Sequence, residues 1–422
     1  MKRLRILTGL FLLSVRRLLT RARNPAPDFA YRSILVLGYG AIGDTIFFLP
    51  FLESLRRRFP QAHITFIANR YPTTTELLPA SGFVDEIWMV DAQDASPAYR
   101  IGWERRIRAK KFDAAFLSQS TPARFFARAL LGIPLRIGHC HLLVAPHQGW
   151  SLLRYLLWRA RRGIISEEFE RRIVLNHKVW MSNERKEHTV SRNLRLLGFF
   201  QTQRPVEPVP PAIIPESENA RREAMIFLES LKSSQSLVVG LHIGSPQSLY
   251  GKIWPAGKWA VVCRALSEVR ALHLVLLGGP EEGIQADEFK RQFPHPIIDL
   301  VGRCGLLTSL AVIHRCQLFL SNDTGLSKAS MALGVPTVTV WGPSDPSWGI
   351  YWNPERHLKI FHEMPCAPCV QMGMRREGAG VINFTNCGHR ACLSELEPSF
   401  VAHAILQRYG SRLESIPSGD VM

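Results

Sequence analysis

The clearest pattern along the chain is a repeated short apolar run that stops at a glycine-rich or polar turn and hands over to a helix. Leu318 to Leu320 is apolar and stops at Ser321, Asn322 and Asp323. A helix fits Leu326 to Leu333, Gly334 ends it as a C-cap glycine, and Val338, Val340 and Trp341 form the next strand. The same pattern predicts strands at Ser33 to Leu37, His63 to Ala68, Glu86 to Val90 and Asp113 to Ser118, with a short one near Arg136. A helix is predicted from about Thr45 to Arg57, and Arg185 to Phe199 also reads as helical. After a break it resumes with strands at Leu237 to Leu241, Leu272 to Leu277 and Ile297 to Val301, and helices at about Gly257 to Ser267 and Leu307 to His314. Strands alternating with helices predict an α/β chain with parallel sheets, and open sheets of that kind bind ligands at the carboxyl ends of their strands.

The break contains Pro205, Pro208, Pro210, Pro211 and Pro215, which exclude a helix interior and predict an interdomain linker over 201–220. The predicted organisation is an N-terminal extension 1–32, an N-terminal domain 33–200, the linker, a C-terminal domain 221–405 and a tail 406–422. At 422 residues the chain is long enough for two cores. Two doubly wound domains would place a ligand in the cleft between them.

Charge separates the halves. Residues 1–200 carry a net +17 and residues 201–422 a net of zero. A basic half suits anionic lipid, nucleic acid or a phosphorylated molecule, and the chain has no RNP, zinc-finger or helix-turn-helix signature to favour nucleic acid. Tyr99 to Lys111 and Arg154 to Arg172 interleave basic residues with Trp103, Tyr155 and Trp158, which reads as a docking surface for anionic lipid or an anionic acceptor. No apolar run reaches the roughly 18 residues of a spanning helix. Ile6 to Val15 is apolar but short, flanked by basic residues and without a small-residue cleavage site, so it reads as a peripheral anchor rather than a secretory signal. The expected location is the cytoplasm, at a membrane surface. Four of the eight cysteines are scattered singly (Cys140, Cys263, Cys304, Cys316), as in a reduced protein.

Gly38-Tyr39-Gly40-Ala41-Ile42-Gly43-Asp44 follows the first strand and opens a helix, the context of a dinucleotide fingerprint. The acid that would hold a ribose after the second strand is absent, because Asn69-Arg70 stand there, so a nicotinamide dinucleotide is not expected. What remains is a tight loop at Gly40 and Gly43 that carries Asp44 at a helix mouth, either as a cap or as a base aimed into a cleft. In the second half, Thr324 and Gly325 open a helix whose N–H groups and dipole suit a phosphate. Asp323 precedes them at a strand end.

Ile34 to Pro50 (ILVLGYGAIGDTIFFLP), LHIGS with Lys252-Ile253-Trp254-Pro255, LLGGPEE, and SNDTGLSKASMALGVPTVTVWGPSDP occur in that order. On these motifs the chain resembles glycosyltransferase family nine, the ADP-heptose:lipopolysaccharide heptosyltransferases and their relatives, over about residues 33–405. The resemblance implies a GT-B fold, two Rossmann-like domains facing across a cleft. It implies an inverting transfer that needs no metal, at the cytoplasmic face of the inner membrane. Asp44 matches the family's base, Lys252 the lysine at the donor diphosphate, and Glu281 the carboxylate at the ribose. Asp323, Thr324 and Gly325 match the motif for donor sugar and phosphate, and Ser245 lies in the LHIGS loop. The implied partners are a nucleotide-sugar donor, ADP-heptose first, a lipid-linked or core-oligosaccharide acceptor, and an anionic membrane surface.

The chemistry is consistent with this. An inverting transfer needs a base for the acceptor hydroxyl and positive charge at the leaving diphosphate. Asp44 supplies the first, and Lys252 with the turn at Thr324 and Gly325 the second. No D-x-D sequence is present to hold a divalent ion, so no catalytic cofactor is expected. Two departures stand out: Lys328 where the family usually has His, and Ile243 where it usually has Pro. Lys328 keeps a cation but changes its geometry, which leaves donor preference open. The alternative is a catalytically silent nucleotide-sugar-binding protein at a membrane surface. Finally, Cys366, Cys369, Cys387 and Cys392 are spaced C-x2-C-x17-C-x4-C within an insertion at 364–393. That spacing can hold a structural zinc, pair as disulfides, or carry four reduced thiols.

Overall fold

A computed structural model of the chain describes residues 26–38, 41–91, 94, 96–118, 123–141, 171–181, 187–200, 214–231, 236–244, 251–349, 355–368 and 389–415. The expected anchor at Ile6 to Val15, the basic stretch up to residue 170, Gly40, Ser245, Cys369 and Cys387 lie outside the described residues, as do most of the proline-rich segment and the last residues of the chain. The chain divides into two compact units, the first holding most residues up to Val209 and the second most of those from Pro210 onward.

The first unit is built on a parallel six-stranded sheet: β1 (Ser33–Leu37), β2 (His63–Asn69), β3 (Glu86–Val90), β4 (Ala114–Leu117), β5 (Leu135–His141) and β6 (His177–Met181), in the order β3-β2-β1-β4-β5-β6. β1 and β4 are apolar and buried almost throughout, as strands covered on both faces by helices must be. Helix α1 (Ile42–Arg58) leaves the end of β1, and Asp44 sits in its first turn, where a carboxylate complements the helix dipole. Helix α2 (Pro97–Lys110) buries Trp103 and Ile107 and exposes Arg105, Arg108 and Lys110. Its Arg106 guanidinium stacks 3.9 Å from the Trp88 ring centroid. The expected helix over Arg185 to Phe199 is shorter, Thr189–Leu194 followed by a tighter turn to Leu197.

The second unit repeats the plan with β7 (Leu237–His242), β8 (Leu272–Leu276), β9 (Ile297–Asp299), β10 (Leu318–Asn322), β11 (Thr337–Trp341) and β12 (His357–Phe361), in the order β12-β11-β10-β7-β8-β9. All of these neighbours are parallel. Each sheet therefore has the strand order of a dinucleotide-binding domain, with the order reversing between its first and fourth strands. In the second unit that reversal lies between β7 and β10. β6 and β12, at sheet edges, were not anticipated: His177–Met181 and His357–Phe361 are short and mix apolar with polar residues. Helix α3 (Glu218–Phe227) starts inside the proline-bearing segment, capped by Ser217. The final helix runs Pro398–Ser415 and so enters residues whose pattern reads as a tail.

Between them, helix α4 (Ala256–Val269) buries Trp259, and Trp254 precedes it. The two indoles meet edge to face with centroids 5.0 Å apart. Asn322 at the end of β10 holds both. Its Oδ1 accepts Trp254 N–H at 3.3 Å and Trp259 Nε1–H at 3.2 Å, and its Nδ2 donates to the Ile243 carbonyl at 2.8 Å. These bonds tie the segment that carries Lys252 to the strand that carries Asp323.

Candidate active site

The site lies at the carboxyl ends of β7 and β10, at the reversal of strand order in the second unit. β10 ends at Asn322, Asp323 turns the chain, and Thr324 caps helix α7 (Gly325–Ala332), counting the intervening helices α5 (Gly283–Gln292) and α6 (Leu306–His314). The reasons are local. Thr324 is extended, its Oγ1 accepts Ser327 N–H at 3.4 Å, and Ser327 Oγ accepts Thr324 N–H at 3.2 Å, a reciprocal cap. Gly334 closes the helix with φ of 75°, a backbone that a side chain disfavours. The Thr324 N–H is therefore engaged within the protein. Gly325 and Leu326 supply the next N–H groups of the turn, which have no carbonyl partner within the helix.

Asp323 is buried and lies between two ammonium groups. Lys252 Nζ donates to its Oδ2 at 2.6 Å, and Lys328 Nζ donates to its Oδ1. All three side chains are almost fully enclosed. Burial alone pushes the Asp323 carboxyl up. The charges of Lys252 and then Lys328, with their hydrogen bonds, outweigh it and hold the group far below the usual carboxylate range. Two buried cations thus share one carboxylate. Lys328 also stands 4.1 Å from the centroid of the buried Trp341 ring, so its position is fixed by an ion pair and a cation–π contact together.

A second carboxylate is buried nearby. Glu282 Oε2 accepts Gly279 N–H at 2.8 Å and lies 3.0 Å from His242 Nε2, while His242 Nδ1 lies 2.9 Å from Thr324 Oγ1. Burial pushes Glu282 up, but the charge and hydrogen bond of His242 and the Gly279 N–H pull it below its ordinary value. Glu281, the expected ribose carboxylate, is its neighbour and is exposed. Lys252, Asp323, Thr324, Gly325 and Lys328 are thus brought together, with His242 and Glu282 added. His242 is the second residue of LHIGS and the last of β7, and its place at a strand end is the one signal for it. Asp44 belongs to helix α1 and is half-buried. Gly43 precedes it in the same turn.

Of the four clustered cysteines, Cys366 is exposed and Cys392 is buried in the short turn Ala391–Ser394. Among the described residues, no group of three His, Cys, Asp or Glu is placed to hold a metal ion. Nor is any helix among them long and apolar enough to cross a membrane.

The site thus joins a strand-order reversal, two buried lysines on one carboxylate and a helix N-terminus. Residues 152–379 match the model of glycosyltransferase family 9 (heptosyltransferase). The chain belongs to glycosyltransferase family 9. It is an enzyme of the glycosyltransferase class. Lipopolysaccharide heptosyltransferase 2 of Salmonella typhimurium is 24% identical over 335 residues, covering 75% of this chain and 84% of the relative. Its Escherichia coli counterpart is 23% identical over 337 residues with the same coverage. The family 9 glycosyltransferase structure from Veillonella parvula covers 92% of this chain and 100% of its own, at a TM-score of 0.67 and 21% identity. The E. coli ADP-heptose lipopolysaccharide heptosyltransferase II structure covers 90% and 99%, at a TM-score of 0.59 and 19% identity. The shared fold is GT-B, and both six-stranded sheets of this family member fit it.

Proposed function

We propose that this glycosyltransferase moves a heptose from a nucleotide diphosphate sugar, ADP-heptose first, onto a lipopolysaccharide core or a related lipid-linked acceptor, with inversion and without a divalent ion. The buried pair of lysines on Asp323, beside the first turn of helix α7, is the observation that carries the reading. Two lysines fixed in a dry setting stabilise a leaving diphosphate with little reorganisation. Heptosyltransferase is also the activity named for the curated relatives.

In the proposed reaction Asp44 takes the proton of the acceptor hydroxyl as its oxygen attacks the anomeric carbon from the face opposite the diphosphate. The new glycosidic C–O bond forms as the anomeric carbon–phosphate oxygen bond breaks, and the electron pair leaves with ADP. Lys252, Lys328 and the N–H groups of Gly325 and Leu326 meet the charge on the departing diphosphate. Ser245 contributes from its loop, and Glu281 is the proposed ribose contact. The exposed basic residues of helix α2 suit an anionic membrane surface or acceptor, which supports a peripheral position at the cytoplasmic side of the inner membrane.

The test is a transfer assay with ADP-heptose and a heptose-deficient core acceptor in the presence of EDTA, with the product anomer read by NMR. Inverted product from the wild type, and Asp44→Ala that binds ADP-heptose but transfers at least a hundredfold more slowly, is the expected result. Full transfer by Asp44→Ala removes Asp44 from the mechanism. Donor binding with no turnover across an acceptor panel makes the protein a binder of nucleotide sugars.

A further inference from the structure

A buried relay of side chains runs from the turn after β8 to the cap of helix α7: Gly279 N–H to Glu282, Glu282 to His242, His242 to Thr324. Its members come from three separate parts of the chain, and the fold makes room for it. A Cβ on Gly244 would stand 2.4 Å from Glu282 Cδ, and one on Gly278 would stand 2.5 Å from its Oε2, so both glycines are needed for the carboxylate to enter. His242 and Glu282 are buried, and neither carries a step of the proposed transfer.

Hydrogen accounting gives the relay a direction. An ionised Glu282 accepts only, so the hydrogen between it and His242 sits on Nε2. In the tautomer with that hydrogen alone, Nδ1 is an acceptor, and Thr324 donates its single hydroxyl hydrogen to it at 2.9 Å. The Thr324 oxygen keeps a lone pair for the Ser327 N–H of the cap, at 3.4 Å, while Ser321 donates its own hydroxyl hydrogen to the Asn322 carbonyl at 2.9 Å.

We infer that His242, oriented by Glu282, is a positioning residue that fixes the Thr324 hydroxyl and so the diphosphate-binding turn at Gly325. The inference rests on the reading of that turn as the donor phosphate site. His242 touches no reacting atom. It acts through Thr324, and its effect belongs in donor affinity and donor KM, with kcat changed much less.

The test is calorimetric titration of the full-length protein with ADP. Thr324→Val and His242→Gln each weaken ADP binding about tenfold, because one removes the hydroxyl and the other reaches Glu282 without offering an acceptor to Thr324. The double variant binds no more weakly than the worse single one, since both remove the same interaction. His242→Asn recovers most of the loss, because its amide oxygen can stand where Nδ1 accepts. Additive losses of about a hundredfold in the double variant, or His242→Asn as weak as His242→Gln, overturn the inference. The two His242 variants change the same buried position, so a difference between them is not a general loss of fold. Wild-type protein that binds no ADP defeats the donor-site reading itself, and the inference falls with it.

Discussion

Lys252 and Asp323 form a buried ion pair with Nζ and Oδ2 2.6 Å apart, joined across 71 positions of sequence. Because Lys328 shares the same carboxylate, the two ends of the pair are not equivalent. Asp323→Asn removes the carboxylate that both buried ammoniums share and should cost roughly 3–5 kcal/mol of stability. Lys252→Met leaves Asp323 bonded to Lys328 and should cost roughly 1–3 kcal/mol. Urea unfolding of both variants checks the order, and equal losses would mean that Lys328 does not share the charge. In transfer the ranking reverses in meaning: Lys252→Met should lower kcat about 10²–10³-fold, as removal of a preorganised charge at a leaving group does.

Lys328 is fixed from two sides, by Asp323 and by the face of Trp341. A lysine there stays charged across the neutral range, whereas histidine does not. Lys328→His should therefore make ADP affinity fall as pH rises from about 6 to 8, with the wild type nearly flat over that interval. Calorimetry at four pH values reads this directly. Parallel wild-type and variant profiles would remove Lys328 from the phosphate site.

Asn322 makes three hydrogen bonds that hold the Lys252 segment and the Trp254–Trp259 pair against β10. Asn322→Leu is of similar size but leaves a buried indole N–H, a backbone N–H and a carbonyl without partners. The expected loss is about 2–5 kcal/mol, and ADP affinity of the folded fraction should drop with it because Lys252 loses its anchor. A Leu variant as stable as the wild type would show that these bonds are replaced by water.

Much of this arrangement is legible in the sequence, and the parts that are not have physical causes. Strands such as Leu237–His242 and Thr337–Trp341 announce themselves because a parallel strand buried on both faces must be apolar along its length. The edge strands His177–Met181 and His357–Phe361 do not, because an edge strand tolerates polar residues. Asp323, Thr324, Gly325, Lys252 and Lys328 could be named from motifs, since each motif is contiguous. That Lys252 and Lys328 share one carboxylate could not, because the sharing is made by folding. Glu281 and Glu282 are adjacent in sequence, and the space at Gly244 and Gly278 with the bonds from His242 and the Gly279 N–H receives Glu282. His242 gives a weak signal because a single histidine at a strand end has no partner until Glu282 and Thr324 are brought to it.

His357 sets a pH limit on stability. Burial, and then the charge of Arg356, lower its pKa from 6.5 to about 4. Above the ordinary histidine range both folded and unfolded forms are neutral there, and the group has no effect. Between about pH 6.5 and 4 the unfolded chain binds a proton that the folded one refuses, so stability falls as pH falls, by on the order of 3 kcal/mol in all. Asp323 behaves differently: its pKa is held below the ordinary value, so its contribution persists through this window and is lost only in stronger acid. Denaturant midpoints from pH 7.5 to 4.5 should slope downward for the wild type and more gently for His357→Phe. Identical slopes would assign the decline to other groups.

The most direct measurement is calorimetric titration of the purified protein with ADP-heptose, beside UDP- and GDP-sugars, in EDTA. Tight binding of ADP-heptose alone, unchanged by EDTA and weakened by Lys252→Met, is the predicted result. Preference for another nucleotide sugar, a requirement for a divalent ion, or full binding by Lys252→Met would contradict the proposed donor site.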